Sequence, residues 1–109
     1  MIKAYGVHGS PYVRKVFIAL DIKDVPYEIV KQMPFSGDAD YLKINPLGKV
    51  PSLVDGDLTL CDSKVICQYL DDAYPELRLY PTRPNDWAMA LWYEDLAAGR
   101  VSELAASIF

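Results

Sequence analysis

Apolar residues in this chain fall into short blocks whose spacing changes from block to block. Residues 2–7 (IKAYGV) are short and rich in strand formers, and they read as a central strand. The break His8-Gly9-Ser10-Pro11 follows, with serine suited to a helix N-cap and proline to the first helical position. Val13, Val16, Phe17 and Leu20 then recur at helical spacing and predict a helix over residues 11–22. Residues 24–26 (DVP) end the connection. Residues 27–31 alternate weakly and read as a second strand, parallel to the first by the crossover rule. Residues 32–40 are a polar loop, and residues 41–44 are expected to form a short helix.

Residues 45–63, NPLGKVPSLVDGDLTLCDS, organise the remainder. Two strands are expected, at 52–54 and 58–60. The turn Asp55-Gly56-Asp57 joins them, because glycine supplies the positive φ of a short reversal. Asp62 and Ser63 stand in the cap region of a helix that starts from Lys64 and stops before Pro75. Its apolar stripe is Val65, Ile66, Tyr69, Leu70 and Ala73. Pro51 has no N–H. A tight turn holding Val50-Pro51 cis would leave the Val50 backbone open to a peptide-like ligand. The N–H groups that open the next helix favour a carboxylate.

Pro75, Pro81 and Pro84 crowd one short segment and mark a linker. Asn85 or Asp86 is expected to cap a further helix carrying Trp87, Leu91, Trp92 and Leu96, which residues 101–109 could continue. The expected division is an α/β domain at 1–76, a linker at 77–84 and the start of an all-helical region at 85–109.

Composition narrows the function classes. The chain has 109 residues, 51% of them apolar, and a net charge of −4 without a run of like charges. That balance disfavours a nucleic-acid surface or a polybasic membrane patch. No apolar stretch approaches the length of a membrane span, and the N-terminus is too polar for a signal peptide. Cys61 and Cys67 form neither a CxxC nor a metal pattern. Both thiols are expected to be free and at least partly buried, in a reducing cytoplasmic compartment.

The order βαβ, short helix, ββα is a thioredoxin-like arrangement, whose active site lies where the first strand meets the first helix. The stretch NPLGKVP, followed after a hairpin by Asp62-Ser63, resembles the glutathione-binding signature of the cytosolic glutathione transferases. The likeness covers about the first 80 residues in unbroken order. SPYVRKV, from Ser10 onward, is similar to the serine-type form of that family's catalytic turn. The resemblance implies a detoxifying enzyme that adds the glutathione thiolate to a small apolar electrophile, with glutathione as co-substrate and no metal. It implies Ser10 as the catalytic residue and Lys49 on the glycyl carboxylate. The Val50 backbone would pair with the cysteinyl unit beside cis Pro51, and Asp62 and Ser63 would take the γ-glutamyl end. It further implies a homodimer and a larger helical domain beyond the linker. Only the first helix or so of that domain is present, so a portion of a longer polypeptide is expected, or a self-associating chain.

Ser10 stands at a helix N-terminus, where unpaired N–H groups and the helix dipole stabilise an anion, and its hydroxyl can donate to a thiolate. Without the signature around residues 45–63, it would read simply as an N-cap. Residues 10–13 occupy the place of a CxxC but have no cysteine at either end, which disfavours a thiol oxidoreductase. A non-catalytic binding or assembly module of the same family is the alternative to a transferase. His8 reads as structural. Arg14 could touch the γ-glutamyl end or face solvent. Tyr5 and Tyr12 read as packing residues, and Trp87 and Trp92 as helix packing or a subunit contact.

Overall fold

A computed structural model describes residues 1–101. The elements are β1 (Ile2–Gly6), α1 (Pro11–Ile22), β2 (Tyr27–Lys31), α2 (Ala39–Ile44), β3 (Ser52–Asp55), β4 (Leu58–Leu60), α3 (Ser63–Ala73) and α4 (Pro84–Asp95). A π-helical turn at Leu96–Val101 follows. The expected extension over residues 101–109 lies almost wholly outside the described residues. The sheet runs β2-β1-β3-β4. β1 pairs in parallel with β2, Ala4 opposite Ile29, and antiparallel with β3, Ala4 opposite Leu53. β1 is therefore central, as its composition predicts, and the whole is a thioredoxin-like α/β arrangement.

Alternation along β1 explains the layers. Ile2, Ala4 and Gly6 are buried on one face, against Val13, Val16, Phe17 and Leu20 of α1 and Ile66, Cys67 and Leu70 of α3. Tyr5 points to the other face, where its ring meets that of Tyr41 on α2 at 5.7 Å. Leu20, Leu53, Ile66 and Leu70 are fully buried. Each contributes about 1.5–3 kcal/mol relative to exposure. Gly6 lets α1 approach the sheet closely, since a Cβ there would lie 2.5 Å from Val13 Cγ2. Gly56, with φ +59°, opens the two-residue turn between β3 and β4.

Several details depart from the sequence reading. Helix α4 begins at Pro84, with Arg83 as its N-cap, not Asn85 or Asp86. Proline's fixed φ and missing N–H suit the first helical position and set the start earlier. On α3 the buried face is Ser63, Ile66, Cys67, Leu70 and Asp71, while Val65 is 48% exposed. That face is built partly of a serine, a cysteine and a carboxylate, which an apolar count overlooks. Cys67 is buried and its thiol is pushed up to about 11 by burial. Cys61 is exposed, just after the edge strand β4, although its thiol donates to the Ile44 carbonyl at 3.5 Å. Helix α4 buries none of its residues fully; Trp87 and Trp92 remain 39% and 60% exposed.

The proline-rich segment is held by one buried carboxylate that the sequence pattern did not single out. Asp71 accepts the amides of Leu79 and Tyr80 at 2.7 and 2.9 Å, and pairs with the Lys23 ammonium at 2.9 Å. Lys23 also donates to the carbonyls of Tyr74 and Leu77. Both side chains are at least 98% buried. Burial pushes the Asp71 carboxyl up, but the amides and Lys23 outweigh it and hold its pKa below the usual value.

Removing one partner of such a pair leaves a buried charge, so Asp71→Ala is expected to lose about 3–5 kcal/mol in urea unfolding at pH 7. Because the folded pKa is depressed, this stabilisation is present above the unfolded carboxyl value of about 4 and fades as pH falls through the folded value. Asp71→Asn should therefore differ from the wild type less at pH 3 than at pH 7. An equal gap at both values would contradict the assignment.

Candidate functional site

Three separate segments meet in one cleft of about 710 Å³. The first is the start of α1. Ser10 caps it, its Oγ accepting the Val13 amide at 3.3 Å while its own amide bonds to the Val7 carbonyl. Accepting with Oγ leaves the hydroxyl proton available for an anion at the helix end.

The second segment is the loop before β3. Its Lys49 carbonyl accepts the hydroxyl of Tyr41 at 2.5 Å and Nδ2 of Asn45 at 3.0 Å. Tyr41 also shares a 2.7 Å bond with Ser52. Burial raises the Tyr41 pKa, so the group remains a neutral donor. Asn45 Oδ1 in turn accepts the Leu47 amide, and the Gly48 carbonyl accepts the Phe35 amide. The loop is thus fastened on both sides of Val50. Among the described residues no hydrogen bond engages the Val50 amide or carbonyl. The Val50–Pro51 peptide is cis, and Pro51 is buried.

The start of α3 is the third. Asp62 is its N-cap, with Oδ1 accepting the amides of Lys64 and Val65 at 2.9 and 3.2 Å. Ser63 is its first residue and is 7% exposed.

Ser10, Lys49, Val50, Pro51, Asp62 and Ser63, all singled out from the sequence, line this cleft together. His8 and Arg14 do not. His8 lies with its ring 5.0 Å from that of Phe17, and Arg14 faces solvent. Tyr5 is a packing residue, but Tyr12 lines the cleft rather than the core. Sequence reasoning missed Lys15, Pro34, Phe35, Cys61, Lys64, Asp95 and Gly99 as cleft residues, and these complete the walls. Phe35 holds φ +56°, uncommon for an aromatic residue. Asp95 comes from α4, a pairing that no local pattern announces. Among the described residues no group of three or more His, Cys, Asp or Glu side chains could hold a metal ion. No helix among them is long and apolar enough to cross a membrane.

Chemically, the cleft offers two helix N-termini for anions, an unpaired backbone strip for an extended peptide and three lysines, Lys15, Lys49 and Lys64. The fold defines a thioredoxin-like domain, with this cleft where its first strand meets its first helix. Residues 5–78 match the family model of the glutathione S-transferase N-terminal domain, and the chain belongs to that family. It is 44% identical over 84 residues to glutathione S-transferase Z2 of Arabidopsis thaliana, covering 74% of this chain and 38% of that protein. A stringent starvation protein A homolog of Haemophilus ducreyi is 41% identical over 73 residues, covering 67% of this chain and 34% of its own length. Among solved structures, a glutathione S-transferase of Methylobacterium radiotolerans in complex with glutathione sulfonate superposes with a TM-score of 0.85 at 31% identity. That match covers 96% of this chain and 50% of the other. The chain therefore spans half or less of the length of these relatives.

Tyr41→Phe removes one of the two donors to the Lys49 carbonyl. It is expected to lose about 1–3 kcal/mol in chemical unfolding and to speed hydrogen exchange of the Gly48 and Ser52 amides. Unchanged exchange there would show that Asn45 alone fastens the loop.

Proposed function

We propose that this chain is the glutathione-binding part of a transferase that joins the glutathione thiolate to a small apolar electrophile. The observation that carries the reading is the convergence of Ser10, the Lys49–Pro51 loop and the Asp62–Ser63 helix start on one cleft. Glutathione lies extended along Val50, whose amide and carbonyl take its cysteinyl unit as an added strand would. Lys49, exposed at the rim, receives the glycyl carboxylate. Ser63 and the first amides of α3 receive the α-carboxylate of the γ-glutamyl end, and Asp62 neutralises its ammonium. This leaves the thiol at Ser10.

There the hydroxyl donates to sulfur while the start of α1 adds its field. Lowering the thiol pKa by two units requires about 2.7 kcal/mol of preferential thiolate stabilisation, within reach of a charge-assisted hydrogen bond plus the dipole. The domain division at 1–76, 77–84 and 85–109, a cytoplasmic location and a homodimer built around α4 belong to the same proposal. The exposed Trp87, Trp92 and Tyr93 support the dimer.

A second reading keeps the ligand without turnover, as a binding or assembly module. It is favoured by the relative named as a stringent starvation protein, which matches this chain about as well as the transferases do.

Calorimetric titration with glutathione and S-alkyl glutathiones tests the shared part; no heat up to millimolar ligand would refute the site. Asp62→Ala is expected to weaken binding. Ser10→Ala should leave affinity nearly intact and move the rising acid limb of the pH–rate profile for conjugation upward by one pH unit or more, about 1.4 kcal/mol. Poor turnover of aryl electrophiles by the 109-residue chain is expected on either reading, and binding that leaves the glutathione thiol pKa unlowered would select the second. In sedimentation, the 109-residue chain is expected to self-associate, and Trp92→Glu to weaken that association. A concentration-independent monomer would remove the dimer.

A further inference from the structure

Helix α4 is fastened to the rest of the fold at one end. Every residue from Pro81 to Met89 is exposed, and among the described residues only Ala90 and Leu91 of its apolar side chains pack against the core. Its side-chain ties to other elements come, among the described residues, from its last two positions. Glu94 Oε2 takes the Lys15 ammonium of α1 at 3.0 Å and the Tyr80 hydroxyl at 2.6 Å. Asp95 Oδ2 meets the Lys64 ammonium of α3 at 2.8 Å. The Asp95 side chain is 63% exposed, so this second pair adds little. Beneath the helix lies a second cavity of about 400 Å³, where Cys67 of α3 and Ala19 of α1 face Ala90, Tyr93 and Glu94 of α4. Cys67 is buried there.

We propose that α4 is a strap that swings open about residues 81–83 while the sheet, α1 and α3 stay folded, and that its closed position completes the cleft. Local opening is easiest where few buried apolar contacts are lost and the backbone hydrogen bonds are already exposed, and α4 meets both conditions. The chain ahead of the hinge is fixed, because Asp71 holds the Leu79 and Tyr80 amides. Past it, the latch is the Glu94 cluster in the last turn of the helix. Closed, the strap places Asp95 on the cleft wall, with Gly99 just beyond. Open, it withdraws that wall and uncovers Cys67. The sandwich keeps its core, since the fully buried Leu20, Leu53, Ile66 and Leu70 all lie on other elements. The strap is independent of which ligand the cleft takes.

Labelling of Cys67 by dithiobis(nitrobenzoate) measures the opening. The 109-residue chain is used with Cys61→Ser, so that Cys67 alone reports, and diluted below its range of self-association. The Cys67 thiolate attacks the aryl disulfide only in the open state, releasing one aryl thiolate, and the rate tracks the open population when reclosing is fast. The rate is expected to exceed what global unfolding allows. It should also rise with urea less steeply than global unfolding does, because less surface is exposed. Glu94→Gln, its fold checked by far-UV dichroism, is expected to speed labelling about tenfold, while amide hydrogen exchange in β1 and β3 stays at the rate it has without that substitution. A Cys67 rate with the urea dependence of global unfolding would show that α4 and the sandwich open as one, and overturns the proposal. So does a Glu94→Gln chain that speeds exchange in β1 and β3 as much as labelling, or one that leaves labelling unmoved.

Discussion

The site depends on where one carbonyl points. The Lys49 C=O is drawn inward by Tyr41 and Asn45, which are 4% and 2% exposed. With that carbonyl satisfied inside, the next peptide unit is presented to the cleft with its own polar groups unspent. A helix as short as α2 is marginal alone. It persists here because Asp38 caps it and Tyr41 is gripped between Tyr5, Ser52 and the loop. The six residues of α2 thus act as a bracket whose purpose lies outside the helix.

Much of this was legible in the sequence because its signals are local. Ser10-Pro11 marks a helix start by two independent preferences, and the helix runs over the predicted residues. The β3–β4 hairpin is set by Gly56, and the cis peptide by a proline ahead of a strand. The sequence-chosen residues that meet in the cleft sit at such punctuation, at caps and turns. What escaped was non-local. Asp71 reads as an ordinary surface acid of α3 until the amides of Leu79 and Tyr80 and the ammonium of Lys23 are brought to it. Asp95 and Lys64 lie thirty-one positions apart. Val65 seemed a core position because the buried face includes polar residues that apolar periodicity ignores.

The same two kinds of contact explain why α4 is placed without being buried. Asp71 fixes the path of the proline-rich segment, and Glu94 fixes the far end of the helix against α1. Between these polar anchors, Ala90 and Leu91 touch the core, while Trp92 and Tyr93 stack on each other outside it. Position comes from charge and hydrogen bonding, and the apolar surface is left unspent. That is consistent with a family whose members are about twice as long as this chain.

One consequence concerns how the molecule can be watched. Both tryptophans of the chain, Trp87 and Trp92, are on α4, and none lies in the sheet or in α1 to α3. Intrinsic indole emission is therefore a native label on a single helix, attached at the edge of the cleft. It reports whether α4 is seated and is silent about the strands beneath, which must be followed through backbone dichroism. The two signals divide the chain optically along the line where its polar anchors divide it mechanically.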